Sequence, residues 1–366
     1  MNEITLTQEL VKINSENPPG NEKEIAKYIY DFLSDLKIST ELIKFGENRF
    51  NVVASIGKGN GLMLNSHMDT VPVGKVENWK YDPFDGKIVN GKIYGRGSCD
   101  SKGNVAAILL AVKNFAKNRF NRKLLITLVG DEEVGSNGSN YLIGNKRELF
   151  RDAKYGVVSD SNLEINIAQK GMLHLKAIFK GKAAHGSLPE KGVNAIVKTT
   201  KFIQEISRLE NKLMSRKDSI LGRGTINIGT ISGGTKVNIV PDNCAVEIDR
   251  RLTYGESPAC ALAQLKTILR RLKITGKVEL IREPRQAVKV TKTSELVKTL
   301  KSVGKLKIGK MAGYTEMELY YRKLGIECVA LGAGNDSAHS TNEYVKISDL
   351  KRVRYVFENL IKKWCL

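Results

Sequence analysis

Residues 62–69 carry the sequence Leu62-Met63-Leu64-Asn65-Ser66-His67-Met68-Asp69, in which a short apolar run ends in a histidine and an aspartate. A short apolar run bounded by polar residues is typical of a strand buried on both faces. Similar runs end before Asp131-Glu132-Glu133 and before Ser159-Asp160, and Cys328–Leu331 ends before a glycine-rich turn that leads to His339. We therefore expect four buried strands, each followed by side chains that can bind a metal ion.

Helical patterns such as Val105–Phe115 alternate with these strands, which predicts an α/β domain with a mainly parallel sheet. Near the N-terminus, Leu6–Leu33 has helical spacing broken at Asn17-Pro18-Pro19-Gly20, which predicts helix, turn, helix. Alternating strands and two helices after Met172 predict an inserted α+β domain. The expected domains are a catalytic, metal-binding domain of residues 1–171 and 287–366 and an inserted domain of residues 172–286.

The composition excludes some classes of protein. The net charge is +20, but the lysines are spread along all 366 residues without a basic cluster, so we do not expect nucleic-acid binding. An acidic partner or substrate is the alternative explanation of this charge. No apolar run is long enough to span a membrane, and the N-terminus lacks the pattern of a signal peptide. Five scattered cysteines without a C-x-x-C pair favour reduced thiols in a cytoplasmic protein.

The polar residues after the strands predict a metal site. Ligands of open α/β sheets bind at the carboxyl ends of the strands, so His67, the acidic residues 131–133, Asp160 and His339 should meet at one edge. A hard or borderline cation would offset the repulsion between the carboxylates. The glycine-rich turn at residues 95–103 adds Asp100; alone it would fit a phosphate loop about as well, although it lacks the P-loop spacing.

Glu132 and Glu133 are expected to have two different roles. Adjacent side chains in an extended segment point in different directions, so one can bind metal while the other accepts a proton from metal-activated water. A solvated acidic turn is the alternative. In the inserted domain, His185 lies in a loop from which it could donate to the oxyanion of a tetrahedral intermediate. We expect His174, which alternates with leucines on a strand, to be an exposed strand residue and not a ligand.

In these motifs the chain resembles the dinuclear zinc peptidases and deacylases, which include acetylornithine deacetylase, succinyl-diaminopimelate desuccinylase, aminoacylase and bacterial glutamate carboxypeptidase. The resemblance covers essentially the full length. It rests on residues 17–20, on Ser66–Pro72, on Trp79 to Phe84, on Tyr94–Gly97 with Asp100 and Lys102-Gly103, on Asp131-Glu132-Glu133, on the His185 loop ending in Gly192–Ala195, and on Ala338–Glu343. It implies a zinc-peptidase catalytic domain and an inserted dimerisation, or lid, domain.

The resemblance also implies roles for individual residues. Two zinc ions, for which cobalt or manganese can substitute, would be held by His67 and Asp160, by Glu133 and His339, and by a bridging Asp100. Asp69 would orient His67 and Glu132 would be the general base. The protein would be a homodimer in which His185 reaches the partner's active site, Asn238 contacts the substrate and Arg251 holds the substrate carboxylate.

The activity expected from this resemblance is hydrolysis of the amide bond of an N-acyl amino acid, as in acetylornithine deacetylase or succinyl-diaminopimelate desuccinylase. A dipeptidase or carboxypeptidase with the same site is the first alternative. The second is release of lysine or ornithine from an acidic amino-group carrier protein, which would give the positive charge a purpose. Glu316 stands where many members of the family carry an aspartate, and such departures leave the substrate open.

Overall fold

The computed structural model describes residues 1–215 and 217–366. Two compact units divide the chain: the first comprises residues 1–167, 290–310 and 315–366, and the second comprises residues 168–289 and 311–314. Within the described residues, no helix is both long enough and apolar enough to cross a lipid bilayer.

The strands and helices are numbered in chain order. The strands are β1 (Ser39–Gly46), β2 (Arg49–Ile56), β3 (Gly61–His67), β4 (Lys87–Val89), β5 (Lys92–Tyr94), β6 (Leu124–Val129), β7 (Ala153–Val158), β8 (Ile165–Gln169), β9 (Gly171–Lys180), β10 (Thr225–Gly233), β11 (Asn243–Leu252), β12 (Gly276–Leu280), β13 (Val288–Lys289), β14 (Ile308–Met311), β15 (Glu327–Ala330) and β16 (Tyr344–Lys346). The helices are α1 (Glu3–Lys12), α2 (Lys23–Asp35), α3 (Gly103–Phe115), α4 (Asn137–Asn145), α5 (Ala195–Met214), α6 (Pro258–Leu272), α7 (Glu295–Gly304), α8 (Met317–Leu324) and α9 (Ile347–Trp364).

Within the first unit, the central sheet has the strand order β1-β2-β6-β3-β7-β15-β8, and β14 also pairs with β8. Strands β6, β3, β7 and β15 are parallel, and β1, β2 and β8 pair antiparallel at the two sides. Every residue of β3 and β6 is buried, which explains why these strands are continuous apolar runs rather than alternating ones. The predicted α/β fold with a mainly parallel sheet is confirmed.

Helix α3 is the most deeply buried helix among the described residues. Residues 103–112 are all buried, because α3 is apolar on every side and packs against α1, α9 and β3. Its first turn follows directly on the glycine-rich segment of Asp100, so the position of that segment depends on a well-packed helix.

A small antiparallel sheet with the order β16-β5-β4 completes the first unit. Its register places Tyr344 opposite Tyr94 and Lys346 opposite Lys92. The segment with Asp100 begins where β5 ends, and the segment with His339 ends where β16 begins. Because these two strands are paired, the start of the first segment lies beside the end of the second.

The second unit is a four-stranded antiparallel sheet with the order β10-β11-β9-β12. Helices α5 and α6 pack on it around a core that includes Phe179, Phe202 and Leu265. Strand β10 lies at the edge and its last five residues are exposed. The antiparallel strands and two helices match the pattern expected after Met172.

Candidate metal centre

Histidine and carboxylate side chains gather at the carboxyl edge of the parallel strands. His67 is the last residue of β3, Glu132 and Glu133 follow β6, and Asp160 follows β7. His339 comes from the loop after β15. Strand β3 is parallel to both of its neighbours, β6 and β7, and β15 is parallel to β7. The four strands therefore end at the same edge of the sheet.

The two oxygens of Asp100 face two different histidines. Asp100 Oδ1 is 3.0 Å from His67 Nε2, and Asp100 Oδ2 is 3.1 Å from His339 Nε2. His67 Nε2 is also 3.5 Å from Asp160 Oδ1, and His339 Nε2 is 3.0 Å from Glu133 Oε2. The donor atoms thus form two groups that share one carboxylate.

The spacing of these atoms is compatible with a divalent cation such as zinc. Ligands at 2.0–2.1 Å in a tetrahedron are separated by about 3.3 Å, close to the distances in both groups. Ligand atoms of His67, Asp100 and Glu133 all lie within 4.8 Å of one another, and so do those of His67, Glu132 and Asp160. Glu133 Oε1 is buried without a hydrogen-bond partner among the described residues, as expected for a carboxylate oxygen meant for a cation.

The charges at the site also fit a cation. Burial and the charge of Asp100 raise the pKa of Glu133 to about 7, and burial and Asp160 raise the pKa of Glu132 well above its usual value. Hydrogen bonds to Asp100 and Glu133 raise the pKa of His339 to about 10. Without metal, Glu132, Glu133 and His339 therefore keep their protons to higher pH than usual, and a divalent ion would displace these protons.

Asp69 links His67 to the segment of the two glutamates. Its backbone oxygen is 3.0 Å from His67 Nδ1, whereas its carboxylate Oδ1 is 3.6 Å from that nitrogen. The carboxylate instead accepts hydrogen bonds from the backbone N–H of Glu132 at 3.1 Å and of Glu133 at 3.2 Å. Burial opposes ionisation, but the nearby His67 imidazole and the hydrogen bonds from Asn17 and the backbone of Glu132 prevail and lower the pKa of Asp69. Asp69 thus contacts a candidate ligand and the backbone of both glutamates.

Asp131 and its partners hold the turn after β6, a supporting role that the sequence analysis did not predict. Asp131 has a φ of 68°. Its carboxylate accepts hydrogen bonds from Asn17, Arg49 and Asn137. Asn17 also donates to Asp69 at 2.8 Å. The Asn17–Gly20 turn was the available signal, but only the fold shows that it supports the segment of Glu132.

A model of the peptidase family M20/M25/M40 matches residues 63–363. The chain belongs to this family. It is 31% identical, over 98% of both chains, to an uncharacterized metallohydrolase of Methanocaldococcus jannaschii. It is 29% identical, over 99% of both chains, to a succinyl-diaminopimelate desuccinylase of Wigglesworthia glossinidia brevipalpis.

Solved structures agree with this assignment. An M20 family metallo-carboxypeptidase of Sulfolobus solfataricus has a TM-score of 0.83 at 24% identity and covers 98% of both chains. A tripeptidase of Staphylococcus aureus has a TM-score of 0.78 at 25% identity, covering 99% of this chain and 97% of its own. As a member of the M20/M25/M40 family, the chain is a metal-dependent hydrolase of amide or peptide bonds.

The remaining residues predicted for this M20/M25/M40 hydrolase belong to the second unit. His185 is exposed, its Nδ1 lies 2.7 Å from Ser187 Oγ, and its loop pairs with that of Asn238 through the bond from Gly186 N to Asn238 O. Arg251 Nε pairs with Asp249 at 2.9 Å. His174 is half-buried rather than exposed as predicted, because it stands opposite Asp249 on β11 with an Nε2–Oδ1 distance of 3.7 Å.

Proposed function

We propose that this protein is a di-zinc amidohydrolase that cleaves the amide bond of an N-acyl amino acid, in the manner of succinyl-diaminopimelate desuccinylase or acetylornithine deacetylase. The observation that carries the proposal is the Asp100 carboxylate, whose oxygens lie 3.0 Å and 3.1 Å from two histidines. A carboxylate shared in this way suits a bridging ligand between two metal ions. Similarity to succinyl-diaminopimelate desuccinylases supports the choice of reaction.

The ligand set follows from the two groups of donor atoms. His67 and Asp160 would hold one ion, His339 and Glu133 the other, and Asp100 both. Imidazole and carboxylate ligands suit zinc, and cobalt or manganese can replace it in such a set. When bound, zinc polarises the scissile carbonyl and lowers the pKa of water in the site toward neutrality.

Glu132 is the proposed general base. It is partly exposed at the edge where the ligands meet, and the hydrogen bond from its backbone N–H to Asp69 fixes its segment. The carboxylate accepts the proton of the attacking water and afterwards returns it to the leaving nitrogen. Its neighbour Glu133 is committed to His339, so the adjacent residues have separate tasks.

Arg251 is the proposed anchor for the substrate carboxylate. Asp249 engages its Nε, and the two terminal nitrogens, which this pair does not occupy, can bind a carboxylate in bidentate fashion. Asn238 would contact the substrate, and His185 would donate a hydrogen bond to the oxyanion that forms at the cleaved carbonyl.

The proposed assembly is a homodimer formed by the inserted domain expected from the sequence, residues 172–286, as dimerisation and lid domain. The edge strand β10 exposes backbone groups that can pair with a second copy. Ile231 on this strand is 55% exposed, and Val237 and Ile239 nearby are also exposed. In such a dimer His185 would act in the partner's site. The free cysteines support a cytoplasmic location.

A substrate panel with metal removal tests the proposal. Chelation should abolish activity, and zinc or cobalt should restore it. Among acetyl and succinyl amino acids, dipeptides and their carboxyl-terminal amides, the free-acid acyl amino acids should be cleaved fastest. Turnover by metal-free protein, or equal rates on free acids and amides, would contradict the proposed site or the proposed anchor.

A dipeptidase or carboxypeptidase is the second candidate, because the similar solved structures include a metallo-carboxypeptidase and a tripeptidase. The same panel distinguishes it: a peptidase would cleave dipeptides faster than acyl amino acids.

A further inference from the structure

One buried carboxylate outside the proposed ligand set holds the turn that presents Asp100. Glu343 is fully buried, and its Oε1 accepts hydrogen bonds from the backbone N–H groups of Cys99 at 3.0 Å and Asp100 at 3.1 Å. Its Oε2 accepts from the backbone N–H of Gly97 at 3.0 Å and from Arg96 Nη1 at 2.6 Å. A carboxylate has about four acceptor positions, so all are used.

Arg96 extends this network toward the segment of His67. It is 2% exposed, and its Nη2 donates to the carbonyl of Pro72 at 3.3 Å. Its guanidinium lies over the indole of Trp79, 5.1 Å from the ring centroid. The backbone N–H of Arg96 donates to Pro83 at 2.8 Å. The residues from Trp79 to Phe84, which have no part in the proposed chemistry, thus form the wall against which Arg96 packs.

The backbone around Glu343 ties the same segments together. Its carbonyl accepts a hydrogen bond from Gly95 N at 2.9 Å, and the next residue, Tyr344, pairs with Tyr94 in the small sheet. Since His339 lies four residues before Glu343, one short stretch carries a candidate ligand and the carboxylate that holds Asp100.

We propose that Glu343, paired with Arg96, is a positioning residue that sets the separation of the two ligand groups around Asp100. It touches no reacting atom and acts through the backbone of residues 97–100 and through the loop of His339. Rigid hydrogen-bonded support of ligands of this kind contributes typically about 10–100-fold to metal affinity. The inference rests on the proposed two-metal site but not on the identity of the substrate.

Glu343→Gln is the direct test. The amide has no acceptor at its nitrogen, so it cannot serve two of the four donors, and it lacks the negative charge that pairs with Arg96. In titrations of metal-free protein, followed by metal content and cobalt absorption, the second ion should bind about 10–100-fold more weakly than in the wild type. Glu343→Asp keeps the charge but is one methylene shorter, so its affinity for the second ion should lie between those of the wild type and Glu343→Gln.

Glu3→Gln is the matched control. Glu3 is a 94% buried glutamate of the same unit whose carboxylate pairs with Arg354 at 2.7 Å, joining α1 to α9. Loss of the Glu3–Arg354 ion pair should reduce the free energy of unfolding without changing metal affinity. If folded Glu343→Gln binds both ions as tightly as Glu3→Gln does, the positioning role is wrong.

If both Glu343 variants fail to fold, amide hydrogen exchange in the metal-free wild type tests whether Glu343 holds the turn of Asp100. The N–H groups of Gly97, Cys99 and Asp100 should stay protected without metal, since Glu343 and not the ion holds them. Exchange at the rate of exposed turns would overturn the inference. A wild type that binds fewer than two ions would refute the proposed two-metal function instead, and the exchange result would still judge Glu343 separately.

Discussion

Glu132 and Glu133 are neighbours along the chain with different surroundings. Glu133 Oε2 lies 3.0 Å from His339, whereas Glu132 is grouped with His67 and Asp160. We expect Glu132→Gln to keep its metal and to lose about 10²–10⁴-fold in kcat, because an amide cannot accept the proton from water. Metal content and kcat measured on the same sample check this.

Glu327→Gln is a suitable control for Glu132→Gln. Glu327 begins β15, at the opposite end of the strand from the site, so its variant should retain both metal and turnover. Loss of metal from Glu132→Gln would instead mean that the roles of the two glutamates are exchanged.

Glu316 gives a pH prediction. It is buried, and burial raises its pKa from the ordinary value of 4.5 to about 8. Between these two values the folded chain holds a proton that the unfolded chain has lost, so folding stability falls as pH rises through this window. Glu316→Gln should remove the part of this loss of folding stability that is due to Glu316. Urea unfolding of metal-free wild type and variant at about pH 5 and about pH 8 measures the difference; parallel losses in both proteins would contradict it.

The site residues whose positions could be predicted from the sequence are those at or just after the end of a buried strand. His67, Glu133 and Asp160 follow apolar runs whose parallel packing is a general rule of such sheets, so their meeting could be foreseen. The support from Asn17, Arg96 and Glu343 could not, because each acts through backbone groups whose positions only the tertiary structure sets. The roles assigned by resemblance to His185, Asn238 and Arg251 stay predictions.

Among the elements, length and apolar content decide what could be predicted. Strand β6 (Leu124–Val129) is the apolar run expected before Asp131, and helix α5 (Ala195–Met214) is one of the two helices expected after Met172. Strands β4, β5 and β16 have three residues each, too few for a periodic signal. These short strands nevertheless bring the Asp100 and His339 segments together.

Strand β10 supports a prediction about assembly. If two copies pair through this edge, Ile231→Lys should give a monomer, since a charged side chain on an edge strand opposes pairing. The monomer should also be inactive if His185 serves the partner's site. Sedimentation and kcat are the measurements. Ile281→Lys is the control, because Ile281 is 50% exposed beside the other edge strand, β12; monomers from the control alone would assign the interface to β12.

For the molecule as a whole, the net charge of +20 allows a test that distinguishes small substrates from an acidic carrier protein. The test is the dependence of the reaction rate on salt. Association of oppositely charged proteins is steered electrostatically and slows steeply with ionic strength, whereas small acyl amino acids carry little charge. We expect kcat/KM on acyl amino acids to change only mildly between low and moderate salt. Negligible rates on these substrates, together with fast and strongly salt-dependent cleavage of an acidic carrier conjugate, would favour the carrier alternative.

The small β16-β5-β4 sheet has a consequence for biosynthesis. Its last strand, with His339 and Glu343 just before it, comes more than 200 residues after His67 and Asp100 in the chain. During translation the early ligands leave the ribosome long before the late ones. A product terminated before residue 339 would therefore contain Glu133 but lack His339, so its second group of ligands would be incomplete and hydrolytic activity would be withheld from it.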